Sequence, residues 1–479
     1  MNTPSTPVRF LFRGKEVSLD LAKAGISPTT TVLRYLRETL LSPGTKEGCA
    51  EGDCGACTVV LAEPDGNGLL RHKAVDSCLV FLPMLHGKQL LTVEDLGNVD
   101  RPHPVQQAMV ECNGTQCGYC TPGFVMSLFA LSKGDGPKDR NDIEDALTGN
   151  LCRCTGYRPI LEAADTFLSS KTSDRTSSDE GIVLQKLSEI RKDAALDIRV
   201  NGQRYMRPAA LDEAFGILAG NPDLIPFNGA TDLALRVTKK HEHLSALLDL
   251  SAISELKELR HENDRLVIGA GVTLEEMRHA SATDFPPLRS MLDVFGSRQI
   301  RTLATVGGNL GSASPIGDLL PVLMALEAVV ELGSSAGLRR IPMNEFITGY
   351  RSTVRRKDEL ITRIFLPLQK NDCVVRSYKV SKRQDLDIST VSGGFSLKLK
   401  EGIVQTAILA FGGMAAKTER AVPAEEFLKG RKWDRKTSEE AADIVRAHFR
   451  PISDARAGAA FRSVAAGNLI LKFWNDTGS

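Results

Sequence analysis

"GTKEGCAEGDCGACTVVLA", running from Gly44 to Ala62, sets Cys49, Cys54 and Cys57 in a C-x4-C-x2-C array on a loop of small residues. The apolar run Thr58, Val59, Val60, Leu61 follows at once and reads as a strand. With Cys78 downstream, four thiolates at this spacing form the plant-type [2Fe–2S] pattern. Two irons bridged by sulfides need four thiolate ligands, and the resulting centre is negatively charged. Gly48, Gly52, Gly55 and Ala56 let the backbone wrap closely and aim N–H groups at the sulfurs. Structural zinc sites usually pair their cysteines in C-x2–4-C knuckles, and this array is the poorer fit.

A second set follows: Cys117 and Cys120 in C-x2-C, then Cys152 and Cys154 in C-x-C. Alone, this spacing also fits zinc or a redox-active C-x-x-C. Beside a first cluster, a second cluster is the better reading. Cys112 and Cys373 have no partner in either pattern and read as small buried hydrophobes. Nine of the ten cysteines are used by Cys154 in a chain of 479 residues. A disulfide scaffold is typically short and secreted, so metal is favoured over disulfides.

The formal net charge of +1 gives no electrostatic footprint for nucleic acid. No apolar stretch approaches the roughly 18 residues needed to span a bilayer. The N-terminus lacks the pattern of a signal peptide, so a soluble, cytoplasmic protein is expected. The length suggests several domains in an α+β multidomain chain. Residues 7–92 alternate short strands with one helical segment. Residues 93–168 carry four helical segments, with Pro122 and Pro159 near two of the starts. Residues 169–195, opening on SSKTSDRTSSDE, read as a linker. Two further α+β domains are expected over 196–370 and 371–477, the latter a sheet followed by a helix over 438–449.

In the third domain, Gly269-Ala270-Gly271 lacks the last glycine of the dinucleotide fingerprint, so a Rossmann reading fails. PFNGATDLAL at 226–235 and TVGGNLGSASPIGDLLP at 305–321 are rich in Gly, Ser, Thr and Asn. Such loops can present unobstructed backbone N–H groups to a pyrophosphate; they can equally be ordinary turns.

GTQCGYCTPGFVMSL at 114–128 and TGNLCRCTGYRPI at 148–160, downstream of EGCAEGDCGACTV, resemble the iron–sulfur region of the molybdenum hydroxylases. That family includes xanthine dehydrogenase, aldehyde oxidase and carbon monoxide dehydrogenase. The likeness extends over essentially the whole chain, and Tyr119 stands where many members carry phenylalanine. The resemblance implies four folds in order. These are a plant-type ferredoxin-like β-grasp domain, a four-helix [2Fe–2S]-binding domain, a vanillyl-alcohol oxidase/PCMH-type FAD domain and a C-terminal CO dehydrogenase flavoprotein-like domain. It assigns one cluster to Cys49, Cys54, Cys57 and Cys78 and the other to Cys117, Cys120, Cys152 and Cys154. Gln116 matches a glutamine that hydrogen-bonds molybdopterin held by a partner.

The two loops resemble the family's flavin pyrophosphate loops. Pro226, Phe227, Asn228, Gly229, Ala230, Thr231, Asp232 and Leu233 form the first; Thr305, Val306, Gly307, Gly308 and Asn309 form the second, continued by Ser312 and Asp318. Phe295, Ile361 and Lys379 match further FAD contacts. The implied activity is electron transfer. Electrons from purine hydroxylation at a large molybdopterin-binding subunit would pass through both clusters to FAD and then NAD+, with no catalytic residue in this chain. An α2β2 heterotetramer is the implied assembly. A stand-alone NADH reductase and an aldehyde-type hydroxylase subunit are the rival readings.

Overall fold

The computed structural model describes residues 5–136, 138–170, 179–369 and 372–478. They form two compact units. One comprises residues up to 214 with 223–253 and 297–304; the other comprises 215–222, 254–296 and 305 onward. The division falls inside the stretch expected to be a single flavin domain.

The first unit opens on a five-stranded sheet in the order Lys15–Leu19, Val8–Phe12, Gln89–Leu91, Thr58–Pro64, Leu70–Asp76. Its first two strands form a hairpin that turns at Arg13 and Gly14, both with positive φ. Thr58–Pro64 is apolar on successive residues because both faces of the sheet are covered. Val59 and Leu61 join the core beneath Leu33 and Leu36, whereas Val60, with Ala74 and Leu91, packs against the helices that follow.

Those helices are Pro104–Glu111, Thr121–Ser132, Arg140–Leu147 and Arg158–Ser169. Proline occupies the first turn of three of them, where a missing N–H costs nothing. Residues 123–131 of the second are buried throughout, so that helix is the centre of the bundle.

Of the expected linker, residues 171–178 lie outside the described residues. Its later part is not linker-like: Glu180–Ile190 is a helix whose Leu187 and Ile190 are buried with Leu11. Lys133 holds its start through Glu180 at 2.8 Å. A four-stranded sheet then runs Leu196–Val200, Gln203–Arg207, Ala246–Asp249, Ile225–Phe227. Its first hairpin turns on Asn201-Gly202, both at positive φ.

The second unit holds two larger sheets besides the two-stranded pair Ile347–Gly349 and Ser352–Thr353. One has the order Leu259–Glu262, Arg265–Gly269, Leu360–Pro367, Val329–Ser334, Gly337–Pro342. The other is an antiparallel sheet of Cys373–Val380, Val391–Lys400, Ile403–Gly412 and Glu419–Arg420. Three helices share a core with this last sheet: Val422–Leu428, Arg435–His448 and the unexpected Ala459–Thr477. Among the described residues no helix is long and apolar enough to cross a membrane.

Candidate iron–sulfur and flavin sites

The eight cluster-motif cysteines gather two by two. In the first tetrad, Cys57 Sγ lies 3.4 Å from Cys78 Sγ, and Cys49 hydrogen-bonds Cys54. In the second, Cys154 Sγ lies 3.6 Å from Cys117 Sγ, and Cys120 hydrogen-bonds Cys152. Two sulfurs on one tetrahedral metal, bonded at about 2.3 Å, lie roughly 3.8 Å apart. Each pair therefore matches one edge of a coordination tetrahedron, and two such edges per tetrad suit a two-metal centre. Among the described residues no group of three or more His, Cys, Asp or Glu side chains is gathered closely enough for one metal ion.

The loop carrying the first tetrad is shaped by close approach. Gly55 has φ +65°, and a Cβ there would stand 2.4 Å from the Gly149 carbonyl oxygen. Cys49 Sγ accepts the N–H groups of Glu51 (3.4 Å) and Asp53 (3.3 Å). The Cys54 thiol beside it, with these amides, lowers the Cys49 thiol to about 5, so it is a ready thiolate. Cys54 and Cys57 are raised, each by its neighbouring thiol and by burial. Cys57 also donates to the buried Asp76 carboxylate at 3.5 Å, which burial pushes up to about 8.

The second tetrad stands at helix starts and turns. Cys120 precedes Thr121–Ser132, and burial with the Cys152 thiol pushes it up to about 12. The Tyr119 N–H lowers Cys117. Tyr157 Oη accepts the Cys152 N–H at 3.0 Å. Gln116 is exposed beside Cys117. Cys112 approaches Thr166 Oγ1 at 3.6 Å and joins neither tetrad, and Cys373 belongs to the second unit.

The two thiol loops touch each other. The Leu151 N–H donates to the Cys54 carbonyl at 3.0 Å, Asn150 Nδ2 donates to the Gly55 carbonyl at 3.1 Å, and Tyr119 Oη donates to the Glu47 carbonyl. Lys239 reaches the first loop as well, donating to the Cys49 carbonyl at 3.1 Å and pairing with Glu51 at 3.3 Å. Nothing in the sequence around Lys239 signals this contact, because it depends on a loop 190 positions away in the chain.

The first glycine-rich loop belongs to the first unit. It links strand Ile225–Phe227 to helix Leu233–Thr238, with positive φ at Gly229 and Ala230. A Cβ on Gly229 would meet the Leu303 carbonyl oxygen at 1.9 Å. The second loop belongs to the second unit and departs from the expectation of unobstructed amides. The Val306 and Gly307 N–H groups donate to the Val272 and Ala270 carbonyls at 3.0 and 2.8 Å. Thr305 takes the other two, its Oγ1 from Gly308 N–H and its carbonyl from Asn309 N–H. The failed Rossmann-like stretch is thus the partner strand of this loop.

What remains free there is side-chain oxygen. Asn309 Oδ1 and Asp318 Oδ1 are buried without a hydrogen-bond partner, which suits a ligand bringing hydroxyl or amine donors, as FAD does. The other expected residues converge in the same unit. Lys379 Nζ lies 2.9 Å from both Asp318 Oδ2 and the carbonyl of Val294, next to Phe295. Ile361 is within 3.6 Å of where a Gly311 Cβ would sit, and Ser312 Oγ donates to the Asn309 carbonyl.

Comparison with known proteins follows the same division. Residues 92–165 match the [2Fe-2S] binding domain model, 198–369 the FAD binding domain in molybdopterin dehydrogenase, and 376–477 the CO dehydrogenase flavoprotein C-terminal domain. The xanthine dehydrogenase of Emericella nidulans is 33% identical over 98% of this chain and 38% of its own length. A reconstituted CO dehydrogenase from Oligotropha carboxidovorans superposes with TM-score 0.53 at 25% identity, over 56% of this chain and 94% of that one. Quinoline 2-oxidoreductase from Pseudomonas putida 86 gives 0.52 at 25% identity, over 57% and 95%. The chain spans about two fifths of the length of the curated relatives it matches.

Paired thiols and flavin-type loops on one chain define an iron–sulfur flavoprotein. The chain carries the [2Fe-2S] binding, FAD binding and flavoprotein C-terminal domains of the molybdenum hydroxylases.

Proposed function

We propose that this chain is the iron–sulfur and FAD subunit of a xanthine dehydrogenase. It would work with a large molybdopterin-binding subunit in an α2β2 assembly, with NAD+ as acceptor. The net reaction is purine plus water plus NAD+ giving hydroxypurine, NADH and a proton, with hypoxanthine and xanthine as substrates. When bound, the clusters pass single electrons and FAD gathers two for delivery as hydride. The two tetrads hold the clusters as paired thiolates on touching loops. Gln116, Cys117 and Cys154 are exposed, which supports a partner's pterin approaching there. Residues 226–233 serve FAD, as do Thr305 to Asn309, Ser312, Asp318, Phe295, Ile361 and Lys379. This chain contributes binding, orientation and charge, and no general acid or base.

The observation that carries the reading is the set of four thiol pairs in one chain with the flavin domain, in a sequence alignable to xanthine dehydrogenase over nearly its whole length. The test is to purify the chain anaerobically with its native partners and offer purines, aldehydes and NADH in turn. Purine-dependent NADH formation with a co-purifying molybdenum-containing chain is expected. NADH oxidation without any such chain, or turnover of aldehydes alone, would overturn it.

A further inference from the structure

Gln299 is fully buried in the short helix Arg298–Arg301, within the first unit. Its Nε2 donates to Ser127 Oγ at 2.9 Å, Asn150 Oδ1 at 3.0 Å and the Ala146 carbonyl at 3.3 Å. Ser127 Oγ donates to the same Asn150 Oδ1 at 2.7 Å. With that oxygen held by two donors, the Asn150 amide has one orientation available, Nδ2 toward Gly55 O and Thr58 Oγ1. Gly55 follows Cys54, and Asn150 stands two residues before Cys152. The adjacent Leu151 N–H to Cys54 carbonyl bond completes the seam.

There is no slack in this seam. A Cβ on Gly123 would lie 2.1 Å from the Gly55 carbonyl oxygen, and one on Gly149 would lie 2.3 Å from Gln299 Oε1. Gln299 Oε1 itself is buried with no hydrogen-bond partner. An orphaned acceptor is costly, so the side chain is held by what its Nε2 donates. Helix Arg298–Arg301 and the residue after it have other anchors: Arg301 pairs with Asp145 at 2.6 Å, and Thr302 Oγ1 donates to the Ala74 carbonyl at 2.8 Å. Gln299 is therefore not needed to keep its own helix in place.

We propose that Gln299 is a positioning residue for electron transfer: through Asn150 it holds the loop of Cys152 against the loop of Cys54. The inference rests on the two-cluster reading above. Electronic coupling falls steeply with separation, and this side chain removes the freedom of the two ligand loops to part.

The test uses the full chain with its partners and the isosteric substitution Gln299→Glu, which cannot donate and sets a carboxylate against Asn150 Oδ1. Iron and FAD contents should stay at wild-type levels. Amide exchange over residues 149–154 should speed about tenfold, the equivalent of one lost buried hydrogen bond. The magnetic interaction between the two reduced clusters should weaken. Thr302→Val, which cuts a neighbouring anchor, should leave both signals as in wild type. Unchanged exchange and unchanged spin interaction in Gln299→Glu would overturn the proposal; should that variant not accumulate, Gln299→Met answers the same two questions. Wild-type protein lacking two paramagnetic signals would sink the two-cluster reading instead, a result the exchange comparison does not depend on.

Discussion

The two tetrads have the same donor count and different surroundings. Cys57 and Cys78 are 2% and 1% exposed, enclosed by the sheet and the core below it, whereas Cys117 and Cys154 are exposed, with Tyr119, Leu151 and Tyr157 also open to solvent around them. A negatively charged centre in the buried tetrad depends on backbone N–H groups and nearby cations from its own chain. One in the outer tetrad can be reached by solvent or by another polypeptide. The inner tetrad is thus built for constancy and the outer one for contact.

Removing a ligand should break this symmetry most severely. Cys54→Ser is expected to eliminate one of two paramagnetic signals, about half of the iron, and substrate-driven flavin reduction with it. Cys154→Ser should remove the other signal while lowering the melting temperature less, because its side chain is exposed. Iron analysis, low-temperature magnetic resonance and calorimetry on the two variants decide this. Equal losses of stability would erase the distinction between inner and outer sites.

The seam between the tetrads should be the next most sensitive point. Gly55→Ala forces a side chain into a left-handed backbone position and onto the Gly149 carbonyl oxygen at 2.4 Å. A cost on the order of 3 kcal/mol is expected in denaturant unfolding. Gly66, also at positive φ but with open space around it, should cost far less on the same change. Similar losses at both positions would mean that backbone strain alone, and not the loop contact, is at work.

Local features were legible in the sequence, and long-range ones were not. The thiol spacing and the proline-led helices each depend on residues a few positions apart. By contrast, Val60 faces a different core from Val59 because a bundle formed much later in the chain covers that side of the sheet. The loop after Thr305 looked rich in free amides, yet Ala270 and Val272 consume two of them across a bridge that composition does not reveal. Helix Glu180–Ile190 follows a polar run and buries little beyond Val183, Leu187 and Ile190, too sparse a pattern to signal it. Gln299 bonds to Asn150 and Lys239 to the Cys49 carbonyl, 149 and 190 positions away, and no local rule links them.

Acid should loosen the domain of the inner tetrad selectively. His86 is buried, its Nδ1 accepting the Arg9 N–H at 3.2 Å and its Nε2–H donating to the Asp193 carbonyl at 3.0 Å. Burial, aided by Arg207, lowers it from 6.5 to about 4. Between those values the unfolded chain binds the proton and the folded chain does not. Stability from this group is therefore complete above about pH 6.5 and is lost as pH falls toward 4, on the order of 3 kcal/mol in all. Unfolding of wild type and His86→Gln at pH 7 and 5.5 checks it: the difference between the two proteins should shrink at the lower pH. A constant difference would remove His86 from the account.

The smallest expected effect tests whether cations of the chain itself tune the inner centre. Lys239 places its ammonium on the Cys49 carbonyl and on Glu51. A positive charge there favours the more negative, reduced state. Lys239→Gln should lower the reduction potential of the inner cluster and leave the outer one where it was. The side chain is 45% exposed, so screening keeps the shift modest, below about 1 kcal/mol, and larger at low salt than at high. A redox titration following both signals at two ionic strengths separates the cases. A shift in the outer signal, or none in either at low salt, would show that the inner tetrad takes its potential from backbone amides and burial alone.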